Sequence, residues 1–182
     1  MPEGSTKENG EFDSEKFKQV LLYIISKTEA LPNVGKKVLY KLLYFADFNY
    51  YEVSERKLTG EVYAKLEHGP APRHFNDIME ELKESHLVEE KLVPYYNHTQ
   101  TRYCILNAPK MTLLSAEELL YVDETLDRYS SMNGQQIESL SHDDTPWAAS
   151  ELNDNLNYEL VFYRSPSMSV REYCDDQNTN NS

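Results

Sequence analysis

Ser141, His142, Asp143 and Asp144 stand side by side. They are the residue types of a nucleophile, a base and an orienting carboxylate. A working triad draws these groups from separate elements, because neighbouring side chains seldom converge on one reacting atom. The run therefore predicts structure rather than catalysis. Asp144 or Thr145 caps a helix beginning at Pro146, with Trp147 anchored in the core. The five histidines, His68, His74, His86, His98 and His142, are the next chemistry-bearing set. They form no HExxH and no His/Cys pair at zinc-ligand spacing. His68 and His74 flank a Gly-Pro turn and, with Glu67 or Asp77, could hold a metal. The 6 glycines never cluster as a phosphate-binding loop. The residues thus assign no catalytic, metal or cofactor site, and the expectation is a protein that is not an enzyme.

The elements that must position any site read as one mostly α (α+β) domain. A chain of 182 residues is of single-domain length. At that size roughly 70% of the unfolded surface is buried. Residues 1–12 are polar and read as a disordered tail, residues 13–174 as the domain, and residues 175–182 as a second tail. Asp13 or Ser14 caps a first helix with Phe17, Val20, Leu21, Ile24 and Ile25 on its apolar face. A second helix over residues 34–51 is apolar nearly all round, so it is the buried centre on which the others pack. A connector with a short extended piece, residues 61–66, leads to Gly69-Pro70-Ala71-Pro72, whose prolines fix the chain. Phe75, Ile78, Met79 and Leu82 then mark an amphipathic helix over residues 73–84. Residues 87–93 and 101–106 read as strands around a polar turn, giving a small β-hairpin and a winged-helix-like element. Ser115 and Glu118 form a capping box, Leu114 and Leu119 a hydrophobic staple, and Asn133-Gly134 ends that helix. A shorter helix carries Ile137 and Leu140. Residues 156–162 are apolar without a readable state.

The net charge of -13 repels phosphate backbones and favours encounter with a basic protein. A local basic patch has its best chance at Lys36, Lys37 and Lys41. The 14 tyrosines suit surfaces that a partner covers, although a tyrosine is more often half-buried between helices. Cys104 and Cys174 form no CxxC, the N-terminal residues have no apolar leader pattern, and no apolar run is of membrane-span length. These features predict a cytoplasmic chain that engages no membrane.

Three motifs occur in order. Lys41-Leu42-Leu43-Tyr44-Phe45-Ala46 is followed by Gly60 and Tyr63, then by Gly69-Pro70-Ala71-Pro72, and finally by Ser141-His142 through Pro146-Trp147. Together they resemble the Panacea domain, the SocA-like antitoxin domain of bacterial and often phage-associated toxin–antitoxin systems. The likeness spans residues 17–147, and its second proline falls earlier than in many members. The resemblance implies an antitoxin that neutralises a cognate toxin by direct protein contact, with the toxin encoded by the adjacent gene. The scaffold residues it implies are Lys41, Leu42, Leu43, Tyr44, Phe45, Gly60, Gly69, Pro70, Pro72, His142, Pro146 and Trp147. The expected contact surface is Tyr63, His68, Arg73 and His74, together with Tyr95, Tyr96 and His98 at the hairpin turn. The expected partner is a basic toxin. Two alternatives remain open. One is a winged-helix-like DNA-binding regulator, which the charge opposes. The other is a small metal-dependent hydrolase built on His68 and His74.

Overall fold

The computed structural model of the chain describes residues 10–172. Two helices open the fold, α1 (Ser14–Thr28) and α2 (Lys36–Ser54), followed by strands β1 (Tyr63–Leu66) and β2 (Gly69–Pro72). Helix α3 (Phe75–Glu84) precedes strands β3 (Val88–Tyr95) and β4 (His98–Ile105). Helices α4 (Ala116–Tyr129), α5 (Gly134–Asp143) and α6 (Thr145–Ala148) follow, and a short 3-10 helix, Tyr158–Tyr163, closes the described chain. The mostly α reading with α+β character holds: helix exceeds strand threefold, 48% against 15%.

The centre is α2, where residues 41–50 are buried without a break. Leu42, Tyr44, Phe45 and Phe48 have no exposed surface. Burying a side chain of this kind contributes about 1.5–3 kcal/mol. Around α2 pack α1, α4, α5, β2 and the 3-10 helix. Rings lock these layers together. Phe45 stacks on Tyr129 of α4 with centroids 4.4 Å apart, and Phe48 stacks on Tyr158 at 4.1 Å. Offset aromatic pairs of this kind add to area burial.

Local signals set several boundaries. The Asp13 side chain accepts from the Lys16 N–H and starts α1. The Ser115–Glu118 capping box is formed, with Leu114 buried behind it. Asn133-Gly134 does the opposite of what the sequence suggested. The α4 helix ends at Tyr129, and Asn133 is the N-cap of α5, in a capping box with Gln136. The same dipeptide suits either end of a helix, because Asn is both a good N-cap and tolerant of the left-handed region.

Gly69-Pro70-Ala71-Pro72, expected as a rigid loop, is a strand that pairs antiparallel with β1, Tyr63 opposite Pro72. Proline is tolerated there because a two-stranded ribbon leaves an edge needing no donor. Gly69 has φ +113°, and a Cβ on it would sit 2.8 Å from both Lys41 Cε and Ser141 Oγ. The glycine lets the hairpin close over the middle of α2. The second hairpin, β3–β4, follows α3 as expected, with a turn at Tyr96 and Asn97 that is shorter than the sequence suggested. Residues 1–9 and 173–182, which hold most of both expected tails and Cys174, lie outside the described residues. Phe12, assigned to the first tail, belongs to the fold: its ring stacks on His74 at 4.1 Å and meets Phe17 edge-on.

Two polar clusters sit in this apolar surround. Asp144 does precede α6, but its carboxylate is not spent on the helix. It accepts from Tyr44 Oη at 2.8 Å and takes a two-pronged contact from Arg164, with Nε at 2.8 Å and Nη2 at 2.7 Å. Arg164 Nη1 reaches Glu52 and Asn49 on α2, each at 2.9 Å. Burial opposes the charge on Arg164, but the field of Asp144 and hydrogen bonds to Asp144 and Glu52 hold its pKa above the ordinary value. The second cluster is Asp47, which accepts from Thr59 N at 3.0 Å, from Thr59 Oγ1 and from Tyr63 Oη. Burial pushes Asp47 up to about 6 against the pull of these donors.

Replacing Arg164 by Met takes the two-pronged counter-charge from buried Asp144 and one donor from Glu52. Loss of about 3–5 kcal/mol is expected, read as a lower urea midpoint with the slope unchanged. For Asp47 the folded pKa is raised, so the unfolded chain releases its proton first as pH rises. The contribution of Asp47 is therefore full below about pH 4 and lost as pH rises through about 6. Wild-type stability relative to Asp47→Asn is expected to fall by roughly 2–3 kcal/mol between pH 4 and pH 6.5. Urea unfolding across that range checks it, and a pH-independent difference would contradict it.

Candidate functional site

A groove of about 720 Å³ lies between the tip of β3–β4, the start of α2 and the outer face of α5. Its walls are fixed from behind. Arg102 on β4 donates through Nη2 to the Glu29 and Leu31 carbonyls at 2.7 and 2.9 Å, tying the hairpin to the end of α1. The Gln100 amide, oriented by its neighbours, accepts from the Gly35 N–H and donates to the Pro32 carbonyl, each at 3.2 Å. Asn33 donates to the Ser130 and Met132 carbonyls at 2.7 and 2.8 Å, joining the α1–α2 connection to the end of α4. A site braced this way on helices and strands keeps its shape before a partner arrives.

Tyr95, Tyr96 and His98 line one wall. Tyr96 is 89% exposed and sits in the two-residue turn with φ +51°. Tyr95 meets Tyr96 edge-on at 4.8 Å and His98 at 5.7 Å. His68 joins the opposite side indirectly: its Nδ1 lies 3.1 Å from Glu138, which lines the groove.

The other expected contact residues lie elsewhere. Tyr63 is a correction: it is fully buried and donates to Asp47, so it belongs to the core. Arg73 is exposed but engaged, donating to the Asn155 side chain and the Asn153 carbonyl. His74 pairs with the buried Glu61 at 2.6 Å beneath the ring of Phe12. Burial raises Glu61 while the His74 contact pulls it down, with a net rise. His68 and His74 therefore serve different carboxylates. Among the described residues no group of three or more His, Cys, Asp or Glu is placed to hold a metal. Ser141, His142 and Asp144 also diverge. Ser141 Oγ donates to the Glu138 carbonyl, His142 stacks on Trp147 at 4.1 Å, and Asp144 faces Arg164. Trp147 is half-buried rather than a core anchor. Its Nε1 donates to the Leu66 carbonyl, and Lys65 lies over its ring at 4.0 Å.

Of the residues expected to carry the scaffold, Leu42, Leu43, Tyr44, Phe45, Pro70, Pro72 and Pro146 are buried. Gly60, at φ +73°, has no room for a Cβ beside the Glu11 carbonyl. Lys41 was grouped with Lys36 and Lys37 as a basic patch, and the structure separates it from them. Lys36 and Lys37 line the groove, whereas Lys41 is 4% exposed. Burial brings Lys41 down to about 8, against the attraction of Glu138 and with the repulsion of Lys37. On the groove wall, Asn133-Gly134 reads in the sequence only as a helix end, and Gln135 and Ser139 carry no signal of a site. Only folding brings the α5 face against a hairpin tip more than 30 residues away.

No helix among the described residues is long and apolar enough to cross a membrane. No curated protein and no solved structure matches the chain. A family model described as the antitoxin SocA-like Panacea domain matches residues 39–148, more than half of the 182. That span holds most of α2, both hairpins, and all of α4, α5 and α6, and with it the hairpin and α5 walls of the groove. The chain belongs to the SocA-like antitoxin family and carries its Panacea domain.

Proposed function

We propose that this protein neutralises a cognate toxin by binding it directly, without catalysis, through the hairpin tip and the groove beside it. Family membership carries the reading, since a SocA-like antitoxin implies a toxin partner. The partner is basic overall and encoded by the adjacent gene, in keeping with a chain of net charge -13 that draws positive surfaces toward it. The contact residues are Tyr95, Tyr96 and His98, with His68 on the far wall. An exposed Tyr96 in the turn, with a half-buried Tyr95 beside it at the end of β3, is suited to this. The two rings bring large contact area at little entropic cost and leave a hydroxyl to satisfy at the interface. Arg73 and His74 contribute at the margin, as polar groups already tethered to this chain.

Co-expression with the product of the adjacent open reading frame tests the proposal. The neighbour should arrest growth alone, be tolerated with this chain, and co-purify with it. A harmless neighbour that does not co-purify would overturn the reading. Tyr95→Ala combined with Tyr96→Ala should leave the thermal melt unchanged, because both rings lie at the hairpin tip. Rescue should be lost and affinity weakened by at least about 2 kcal/mol, roughly 30-fold. Pull-down titration of the double variant reads that number.

A further inference from the structure

Exposed apolar side chains gather around α6. Leu66 at the end of β1, Leu152 and Tyr163 are 42%, 58% and 75% exposed. Each is tied to the short helix. Trp147 Nε1 donates to the Leu66 carbonyl at 3.2 Å, and Thr145 Oγ1 donates to the Tyr163 carbonyl at 3.3 Å. The Ser150 N–H donates to the Trp147 carbonyl at 3.3 Å, and Leu152 follows two residues on. Ala148 and Ala149 are exposed between them. Single exposed apolar residues are ordinary, whereas a contiguous group marks a surface that something covers.

The group is also held rigidly. Leu152 rides on a turn fastened to β1. The Asn153 N–H donates to the Lys65 carbonyl at 2.8 Å, and the Lys65 N–H donates to the Asp154 carbonyl at 2.9 Å. Lys65 Nζ donates to the Ser150 carbonyl at 2.8 Å. Tyr163 directly precedes Arg164, whose guanidinium is clamped by Asp144 and Glu52. Trp147 is packed by His142 at 4.1 Å and by Lys65 at 4.0 Å. Apolar anchors set in place beforehand lose little freedom on binding. His142 also lines the groove, so the α6 face continues the hairpin-tip surface around α5.

Charge selects the occupant. Glu67 follows Leu66, Asp143 follows His142, and Glu151 and Asp154 lie on either side of Leu152. All four are exposed, and their side chains make no hydrogen bond or ion pair among the described residues. The two nearby cations are engaged, Lys65 as above and Arg73 by the Asn155 side chain and the Asn153 carbonyl. We propose that the α6 face is a second contact surface for the toxin and receives a segment bearing Lys or Arg beside apolar anchors, one side of a basic amphipathic helix. The proposal rests on the antitoxin reading for the identity of the partner. Leu152 and Tyr163 supply the apolar contact, and the carboxylates around them supply pairing and steering. A stable interface covers about 800 Å² on each partner. A footprint running from the hairpin tip over His142 and Trp147 to Tyr163 holds the toxin at two places on one frame.

Trp147 is the only tryptophan in the chain, so its emission reports on this face. The probe is a capped Leu/Lys peptide in amphipathic order, about four helical turns long. One comparator replaces every Lys by Glu, and the other replaces every Leu by Ser. Trp147 emission of the full chain should shift saturably with the Leu/Lys peptide and with neither comparator. Leu152→Ser combined with Tyr163→Ser should leave the thermal melt unchanged and weaken binding about tenfold or more. Glu151→Lys combined with Asp154→Lys should weaken it several-fold and reduce its salt dependence. Tyr95→Ala combined with Tyr96→Ala should leave the response as in the wild type, which separates this face from the hairpin tip. The absence of a saturable shift overturns the proposal. So does an equal shift with either comparator, or an unchanged affinity in the Leu152→Ser, Tyr163→Ser chain. Growth rescue is scored separately. Wild-type rescue without a Trp147 response overturns this face and leaves the antitoxin reading standing. A Trp147 response without wild-type rescue supports the chemistry of the face and overturns its assignment to a toxin.

Discussion

The guanidinium of Arg164 draws together parts of the chain that are far apart in sequence. Its planar fork takes both oxygens of Asp144 on one edge and reaches Glu52 and Asn49 on the other. That geometry ties the α5–α6 junction to the far half of α2, with Tyr44 completing the carboxylate's shell. Removing such charges from water costs several kcal/mol per ion, and only near-complete hydrogen bonding offsets it. Arginine meets the requirement where lysine would not, because its donors are coplanar and suited to two-pronged contact. Glu52 then accepts from Ser169 and from the Val170 N–H, so the end of the described chain is drawn onto the same point. Burial pushes Glu52 up, yet these donors hold it net below its ordinary value, and it stays charged.

A central helix that carries Lys41, Asp47, Asn49 and Glu52 inside the protein is unusual, and each group forces a neighbour into place. Asp47 collects the Thr59 backbone and hydroxyl and the Tyr63 phenol, which sets where the connector meets β1. Asn49 and Glu52 require Arg164. Lys41 lies under Gly69 of β2, where burial opposes its charge and Glu138 on α5 attracts it.

Much of this architecture was legible because it is written in short-range pattern. The Phe75–Leu82 stripe, the Ser115 capping box and the strand alternation around the second hairpin each depend on residues within a turn or two. What was not legible depends on contacts far along the chain. Gly69–Pro72 reads as a loop until β1 offers it a ladder. Asn133-Gly134 is ambiguous until the start of α5 is fixed by Gln136. Tyr63, with a polar tip and an apolar body, suits a surface as well as a core, and only the buried Asp47 decides between them. Arg164 carries no local signal, since its partners lie 20 to 115 residues away. The groove was half-read: its tyrosines and His98 were visible as a turn, but the α5 wall facing them was not.

The distance between Arg164 and its partners also bears on how the protein is made. Glu52 emerges 112 residues before the arginine that neutralises it. At bacterial or eukaryotic elongation rates that interval is roughly 6–20 s. Over that time α1, α2 and the hairpins can form local structure, yet the core holds carboxylates that favour water over burial. Completion of the core therefore waits until residue 164 has been made. A chain released early, or clipped before residue 164, keeps an acidic and incompletely closed interior, the kind of species that proteolytic quality control removes.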